Sequence, residues 1–454
     1  MQGSVTMPQP GEYFKNPLGL ILASLVSLSL LGAWQYTRDY PGVDYYVTWV
    51  ASDAVSNNTR HDIYEETSQY RLTFEYRKKA RDLDDAPKQL QAANYFEKLD
   101  FTATPFLYWV TGLLTTGSYV TDLAIWQALT LLLVTSSILV FCRLLGYSPT
   151  SSMVVLLPVL AWFMPLYSNL RVANVNGIQL GLITLIVYLL KRHAEGFSLF
   201  ISGLLTGLLV MYKPNLAPVG LLFAGVWVVR QQYLKLSLAV SGMAAGAIVS
   251  VFVSSIWLGG TTTWLNWFNY IRQYMDGGLD ERGGNYAIIT QLFSDASSLI
   301  QLVAAVFLCL LCLAVFWWER RSDSDHDIHK NNEDREFIEN TTFIAMGCII
   351  TMLTSSMVWL HYYLLAIPMI IIALRPYSES GPMKTLPVLM LRILPTVALV
   401  LLLETALRDI IGGEPRTYRV FATTTSAISL FVIGVWQFWR GVKQRFDGDA
   451  KAAR

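Results

Sequence analysis

Ionisable side chains recur at the ends of the apolar segments of this chain, where they are costly to bury. Asp44 follows the first apolar segment, Arg171 and Lys213 lie between later segments, and His361 precedes another. An ionisable group at membrane depth costs about 2.5–3.5 kcal/mol on insertion scales, so each of these groups is a candidate functional residue. Three amides occupy similar positions: Asn174, Asn176 and Asn285.

These residue types fit a transfer reaction at a phosphate. Arg171 and Lys213 could hold a phosphate at the headgroup boundary, because charge-assisted contacts gain strength when they are partly desolvated. Asp44 could take a proton from a hydroxyl acceptor as a general base, and the three amides could hydrogen-bond sugar hydroxyls. A lipid-phosphate leaving group needs no acid, and no outer carboxylate cluster resembles a Mg²⁺ or Mn²⁺ site. The sequence therefore predicts metal-independent glycosyl transfer without a cofactor.

Each of these residues also has a structural interpretation. Asp44 could cap a helix that starts at Tyr45, and the two cations could extend their side chains to the membrane interface. The asparagines at 174 and 176 could cap the next helix, and His361 could belong to an aromatic belt with its Trp and Tyr neighbours. All of these residues fall on one predicted side of the membrane, and this shared side favours the functional interpretation.

The composition indicates whether water or lipid surrounds the folded chain. Of 454 residues, 53% are apolar and only 15% are charged, and the mean hydropathy is +0.40. A soluble globule carries roughly 25% charged residues, because water must solvate its surface. The net charge of +1 provides no basic surface for nucleic acid. A soluble enzyme, a disordered regulator and a DNA-binding protein are therefore excluded, and the lipid bilayer is the expected partner.

Long apolar segments predict an all-α integral membrane protein, one polytopic domain over residues 1–454. A helix needs about 20 apolar residues to cross the hydrocarbon core. By this length, the sequence contains about twelve candidate spans, at 17–37, 121–143, 151–168, 175–190, 197–212, 216–230, 236–258, 299–318, 338–358, 361–375, 385–404 and 418–439.

The distribution of positive charge predicts the orientation. With residue 1 inside, the cytoplasmic segments carry more than twice as many Lys and Arg as the short outside loops. Both termini are then cytoplasmic, and the protein is placed in the plasma membrane. Residues 38–120 form a helical extracytoplasmic loop, 259–298 a second outer segment, and 319–337 a solvated cytoplasmic linker. The second outer segment carries aromatic rings that favour the headgroup level: Trp264, Trp267, Tyr270 and Tyr274.

Six short elements, in order between about residues 17 and 375, resemble a known family. They are Asp44-Tyr45-Tyr46 with Asp62-Ile63-Tyr64, Thr104-Pro105-Phe106, Ala173-Asn174-Val175-Asn176, Lys213-Pro214 after Gly203, Gly284-Asn285-Tyr286, and Ser356 to Trp359-Leu360-His361-Tyr362. The chain is similar in these elements to the polyprenyl-phosphate-dependent membrane glycosyltransferases of family 87, which include mannosyltransferases that extend phosphatidylinositol mannosides. It departs from them where Gly-Gln becomes Ala173-Asn174, where a second Pro near Pro105 is missing, and where the Ser after Asn285 is lost.

The resemblance implies a C-type glycosyltransferase architecture, with helices of the first outer loop lying over the membrane. It also implies Asp44 as the catalytic base, His361 near the donor phosphate or the acceptor, and Tyr64 and Trp359 among the substrate-binding residues. The predicted reaction is inverting transfer of a sugar from a polyprenyl-phosphate donor, and mannose is the sugar we expect. The acceptor is a lipid-linked or glycan hydroxyl on the non-cytoplasmic face.

Three other functions are consistent with parts of this pattern. Arabinofuranosyl transfer uses the same lipid-phosphate chemistry with a different sugar. A transporter or lipid flippase would carry its ionisable residues near the bilayer midplane rather than at the ends of spans. A non-catalytic scaffold predicts that Asp44, Lys213 and His361 do not share a cavity.

Overall fold

The structure is a computed structural model that describes residues 17–57, 62–83, 86–192, 196–276, 287–289, 298–322, 332–375, 420, 422–436 and 438. This part of the chain is helical and contains no strand. Its helices are α1 (Pro17–Thr37), α2 (Val43–Ser56), α3 (Glu66–Arg81), α4 (Pro87–Tyr95), α5 (Pro105–Gly112), α6 (Tyr119–Leu144), α7 (Pro149–Trp162), α8 (Met164–Val172), α9 (Asn176–Arg192), α10 (Phe197–Tyr212), α11 (Ala217–Val229), α12 (Tyr233–Leu258), α13 (Thr262–Asp276), α14 (Ser298–Ser322), α15 (Asn332–Thr354), α16 (Ile367–Leu374) and α17 (Ala422–Trp436). Short 3₁₀ segments, Pro214–Leu216 and Leu360–Ala366, precede α11 and α16.

The apolar helices identify a membrane-embedded protein. Within the described residues, five helices are long and apolar enough to cross a membrane: α1, α6, α12, α14 and α15. Large apolar side chains on α12, among them Ile248, Phe252 and Ile256, are more than half exposed. Apolar surface of this kind requires an apolar solvent. The all-helical prediction is confirmed, whereas the number of twelve spans stays a prediction.

Several predicted spans are interrupted. The span predicted at 151–168 is two helices, because the chain leaves the helical conformation at Phe163 and restarts before Pro165. The span predicted at 338–358 ends at Thr354, and residues 361–375 begin as a 3₁₀ segment. The span at 385–404 lies outside the described residues. These interruptions bring non-helical backbone, with its polar groups, to one end of the bundle.

The predicted outer loop at 38–120 contains four helices, α2 to α5, so its helical character is as predicted. Stacked and edge-to-face rings form its core, in which Tyr46, Trp49 and Tyr119 contact one another. A buried carboxylate, Asp122 at the start of α6, accepts a hydrogen bond of 2.9 Å from Trp49 Nε1. The aromatic core and this bond attach α2 to the membrane helices.

The aromatic residues predicted to lie at the headgroup level in segment 259–298 also bind protein groups. Three of the four rings donate hydrogen bonds within the protein: Trp264 to Ser254, Trp267 to the Thr102 carbonyl and Tyr270 to Asp100. These bonds attach α13 to the first outer loop and to α12. The exposed apolar residues of α13 are instead Leu265 and Phe268. Protein groups thus supply the polar partners of these N–H and O–H groups, and the headgroup position of the rings stays a prediction.

Helices α10 and α12 pack backbone to backbone. A Cβ atom added at Gly203 or Gly207 would lie 2.3 or 2.2 Å from a carbonyl oxygen of α12. The same atom at Gly242 or Gly246 would lie 2.2 or 2.3 Å from a carbonyl of α10. Paired small residues of this spacing let membrane helices approach closely. The close contact fixes α10, at whose end Lys213 lies.

The segment at 319–337 is not a solvated linker throughout. Helix α14 continues to Ser322, and α15 already begins at Asn332. Glu336 of α15 lies 2.9 Å from Lys235 and 3.6 Å from Arg230, whose side chain is fully buried. The start of α15 is therefore helical and ion-paired with Arg230, just after α11, and with Lys235 of α12, whereas Glu319 of α14 lies 3.5 Å from Arg335 of α15.

Candidate active site

Asp44 is presented by a tight turn at the start of α2. Gly42 adopts the left-handed conformation (φ +66°), and the Tyr119 hydroxyl donates to the carbonyls of Pro41 and Gly42. The helix begins at Val43, so Asp44 lies in its first turn, where the helix dipole favours a carboxylate. The N-cap residue is Gly42. The capping interpretation of Asp44 is therefore wrong.

Asn174 contacts Asp44 directly. Its Nδ2 donates to Asp44 Oδ2 at 2.7 Å, and its Oδ1 accepts from the backbone N–H of Val175 at 2.8 Å. Asn174 follows Ala173, a non-glycine residue with a positive φ of 55° that ends α8. This sharp end of α8 brings two residues together that are 130 positions apart in the chain.

Lys213 directly follows α10, and its side chain contacts the 3₁₀ segment Leu360–Ala366. Its Nζ donates to Asn176 Oδ1 at 3.3 Å and lies 3.8 Å from the centre of the Tyr362 ring. Asn176 in turn donates from Nδ2 to the His361 carbonyl at 2.9 Å. Asn176 thus connects the cation to the backbone that carries His361. Because Nζ contacts Asn176 and the Tyr362 ring inside the protein, Lys213 does not extend to the interface.

His361 also lies close to the Asp44 carboxylate. Its Nε2 lies 3.9 Å from Asp44 Oδ2, and its side chain is 5% exposed. Trp359, just before the 3₁₀ segment, is half-buried, and its carbonyl accepts from the Tyr362 N–H at 2.9 Å. His361 is buried among protein groups, so the aromatic-belt interpretation does not describe it.

The site holds its charges in a partly desolvated cleft. The Asp44 side chain is 37% exposed although protein closely surrounds it, and burial raises its pKa, opposed by the Asn174 hydrogen bond and by Lys213 and Arg171. Burial lowers the pKa of Lys213 to about 7, opposed by Asp44. Arg171 is exposed at the edge of this group. Arg171, and Lys213 when it is protonated, are thus the cations that face the carboxylate of this group.

Two predicted residues do not join this group in the described part of the chain. The Tyr64 hydroxyl donates to the Ala103 carbonyl at 2.9 Å, and its ring lies among the loop aromatics Tyr108 and Tyr270. Asn285 lies outside the described residues. The structure thus brings together Asp44, Asn174, Asn176, Lys213 and His361, and the role of each remains a prediction.

Sequence reasoning missed two neighbours of the site. Tyr362 supplies the ring beneath Lys213, whereas the sequence offered it only as a neighbour in an aromatic belt. Asn169 is fully buried and bonded to the backbone of Asn174. It lies one position beyond the predicted span 151–168. The signal available in the sequence was a single amide side chain between an apolar segment and Arg171.

Within the described part of the chain, no group of three or more His, Cys, Asp or Glu side chains is placed so that it could hold a metal ion. Metal-independent transfer remains a prediction.

The fold and the site define a class: a membrane-embedded helical protein that brings a carboxylate, a lysine and a histidine together, with an arginine at their edge. The model of glycosyltransferase family 87 matches residues 101–328, half of the chain. The chain belongs to this family and is a membrane glycosyltransferase. The match includes Arg171, Asn174, Asn176 and Lys213, and it excludes Asp44 and His361. No curated protein and no solved structure matched the chain in the other two comparisons.

Proposed function

We propose that the protein transfers mannose, with inversion, from a polyprenyl-phosphate donor to a hydroxyl of a lipid-linked or glycan acceptor. The reaction takes place on the non-cytoplasmic face of the plasma membrane. One observation carries the proposal: the Asp44 carboxylate and the Lys213 ammonium share a cleft with Arg171 at its edge. A base for the acceptor and cations for a departing phosphate are the groups that this reaction needs.

In the proposed mechanism Asp44 takes the proton of the acceptor hydroxyl. The acceptor oxygen attacks the anomeric carbon, and the bond between that carbon and the phosphate oxygen breaks. Its electron pair leaves with the polyprenyl phosphate, whose new negative charge Lys213 and Arg171 stabilise. The products are a glycoside, a protonated Asp44 and a polyprenyl phosphate. This leaving group bears its charge without receiving a proton.

The remaining residues orient these groups. Asn174 holds the Asp44 carboxylate, and Asn176 holds Lys213 through its oxygen and the His361 backbone through its nitrogen. His361 is buried and close to Asp44, which supports a role in orienting the base and, once the donor binds, in closing the phosphate side of the cleft. Trp359 and Asn285 are proposed to contact the sugars, whereas Tyr64, which is bonded to Ala103 away from this group, is not.

Replacement of Asp44 tests the mechanism. Asp44→Asn keeps the size and the contact with Asn174 but cannot accept the proton, so transfer from radiolabelled polyprenyl-phosphate mannose should fall by about 10²–10⁴-fold. The measurement is formation of labelled glycolipid in proteoliposomes, together with retained donor binding.

Asp53→Asn is the matched control, because Asp53 lies on the same helix and binds Tyr76 instead of the site. It should keep its transfer activity. A fully active Asp44→Asn variant would remove Asp44 from the mechanism. Movement of label across the vesicle without a new glycosidic bond would identify a transporter. Transfer only from a polyprenyl-phosphate arabinofuranose donor would show that the donor sugar is arabinofuranose and not mannose.

A further inference from the structure

Asn174 is held on its backbone by a single residue of the preceding helix. The Asn174 N–H donates to the Asn169 carbonyl at 3.1 Å. Asn169 Nδ2 donates to the Asn174 carbonyl at 3.3 Å. Asn169 is fully buried in the last turns of α8. Both backbone polar groups of Asn174 are thus bound to Asn169.

The side chain of Asn174 then has one orientation available. Its Oδ1 accepts from the Val175 N–H, so its Nδ2 is the atom that faces Asp44. The reverse orientation would set an amide oxygen against a carboxylate oxygen, and a donor against a donor at Val175. The position of the Asn174 backbone therefore decides whether the carboxylate receives its hydrogen bond.

We propose that Asn169 is a positioning residue for Asp44, which it orients through Asn174. Asn169 holds the turn after α8 so that the Asn174 amide points at the carboxylate. The inference rests on the proposed function in treating Asp44 as the base, whereas the chain of contacts from Asn169 to Asp44 is independent of the reaction.

Loss of this support has a consequence that can be measured at Asp44. The groups that face Asp44 are Asn174, the cations Lys213 and Arg171, and His361 and Tyr362 on the 3₁₀ segment. The Asn174 hydrogen bond lowers the pKa of Asp44, because it favours the ionised form. If Asn174 moves away, the carboxylate loses this partner, and Asp44 binds its proton at higher pH.

The experiment titrates Asp44 itself, in the full-length protein in detergent. The infrared band of the protonated carboxyl is followed with pH and assigned by its absence in Asp44→Asn. Asn169→Leu, which keeps the branching of the side-chain heavy atoms but removes the amide, should raise the titration midpoint. Asn174→Leu should raise it by the same amount, and the double variant should raise it no further. Asn169→Ala is the second variant if Asn169→Leu does not fold.

Gln127→Leu is the matched control. Gln127 is buried and donates to the Leu170 carbonyl at 3.2 Å, so it supports the same turn without binding Asn174. It should leave the midpoint unchanged. A wild-type midpoint in the Asn169 variants, or an equal shift in Gln127→Leu, would overturn the inference. The titration needs no substrate, so its failure is separate from failure of the Asp44→Asn transfer test.

Discussion

The charge of Lys213 depends on three neighbours of different kinds. Asp44 favours the ammonium form, the Tyr362 ring offers its negative face, and Asn176 offers one oxygen. Burial outweighs these contacts and lowers the pKa of Lys213 to about 7. A cation that binds phosphate through this ammonium is therefore charged below about pH 7 and loses its charge above it.

Donor binding should accordingly weaken at alkaline pH. The KM for the polyprenyl-phosphate donor should rise by up to about tenfold per pH unit once Lys213 is deprotonated. In Lys213→Arg the guanidinium stays charged, so its KM should change little over the same range. Initial rates at varied donor concentration, between about pH 6 and 9, give the KM of the wild type and of Lys213→Arg. A wild-type KM that does not change with pH would exclude phosphate binding through Lys213.

Much of the site could be predicted from single residues, because charge is rare and costly in an apolar chain. Asp44, Lys213 and His361 stand out in the sequence for this reason, and the structure places them together. Asn169 and Tyr362 could not be assigned, because a buried amide or ring shows its role only through its partner. Those partners, Asn174 and Lys213, are brought to them by the folded chain.

At the scale of elements, two turns in the left-handed conformation meet beside Asp44. Gly42 has a φ of +66° and Ala173 a φ of 55°. A Cβ on Gly42 would lie 3.2 Å from Ala173 Cβ and 2.5 Å from Leu123 Cδ1. An L-residue pays about 1–2 kcal/mol for this conformation, so α8 ends with strain that a glycine would avoid.

Opposite substitutions at these two turns should have opposite effects. Ala173→Gly should raise the free energy of unfolding by about 1 kcal/mol, because it removes the strain. Gly42→Ala should lower it by about 2 kcal/mol or more, because it adds strain and a steric overlap. Denaturation in mixed micelles measures both changes. If Ala173→Gly is less stable than wild type, the left-handed end of α8 is not a source of strain.

The positions of the helices follow from apolar length, but their interruptions and contacts do not. The sequence predicts spans at the places where α1, α6 and α12 occur. Apolar length does not show the break at Phe163, for which Pro165 is the sequence signal. The sequence also does not identify the protein partners of the α13 rings, because an amphipathic ring has the same pattern whether its polar atom meets a headgroup or Asp100.

At the scale of the whole molecule, an ionic cluster holds the bundle at the end away from the site. Helix α11 runs from the turn after Lys213 to Arg230, about 20 Å at 1.5 Å per residue. Arg230 Nη2 lies 2.6 Å from Glu339 Oε2, and its Nη1 donates to Asn340 at 2.6 Å. Arg335 Nε lies 2.7 Å from the other oxygen of Glu339. Helices α11 and α15, which lead to Lys213 and His361, are thus joined at their far ends.

The burial of this cluster predicts a large cost when it is broken. Glu339→Gln leaves the fully buried Arg230 side chain without its nearest anion, so it should lower the free energy of unfolding by about 3 kcal/mol. Glu75→Gln is the matched control: Glu75 also pairs with an arginine four residues away, but its side chain is 43% exposed. Its loss should cost less than about 0.5 kcal/mol. Denaturation in mixed micelles compares the two, and equal costs would mean that the cluster does not join α11 to α15.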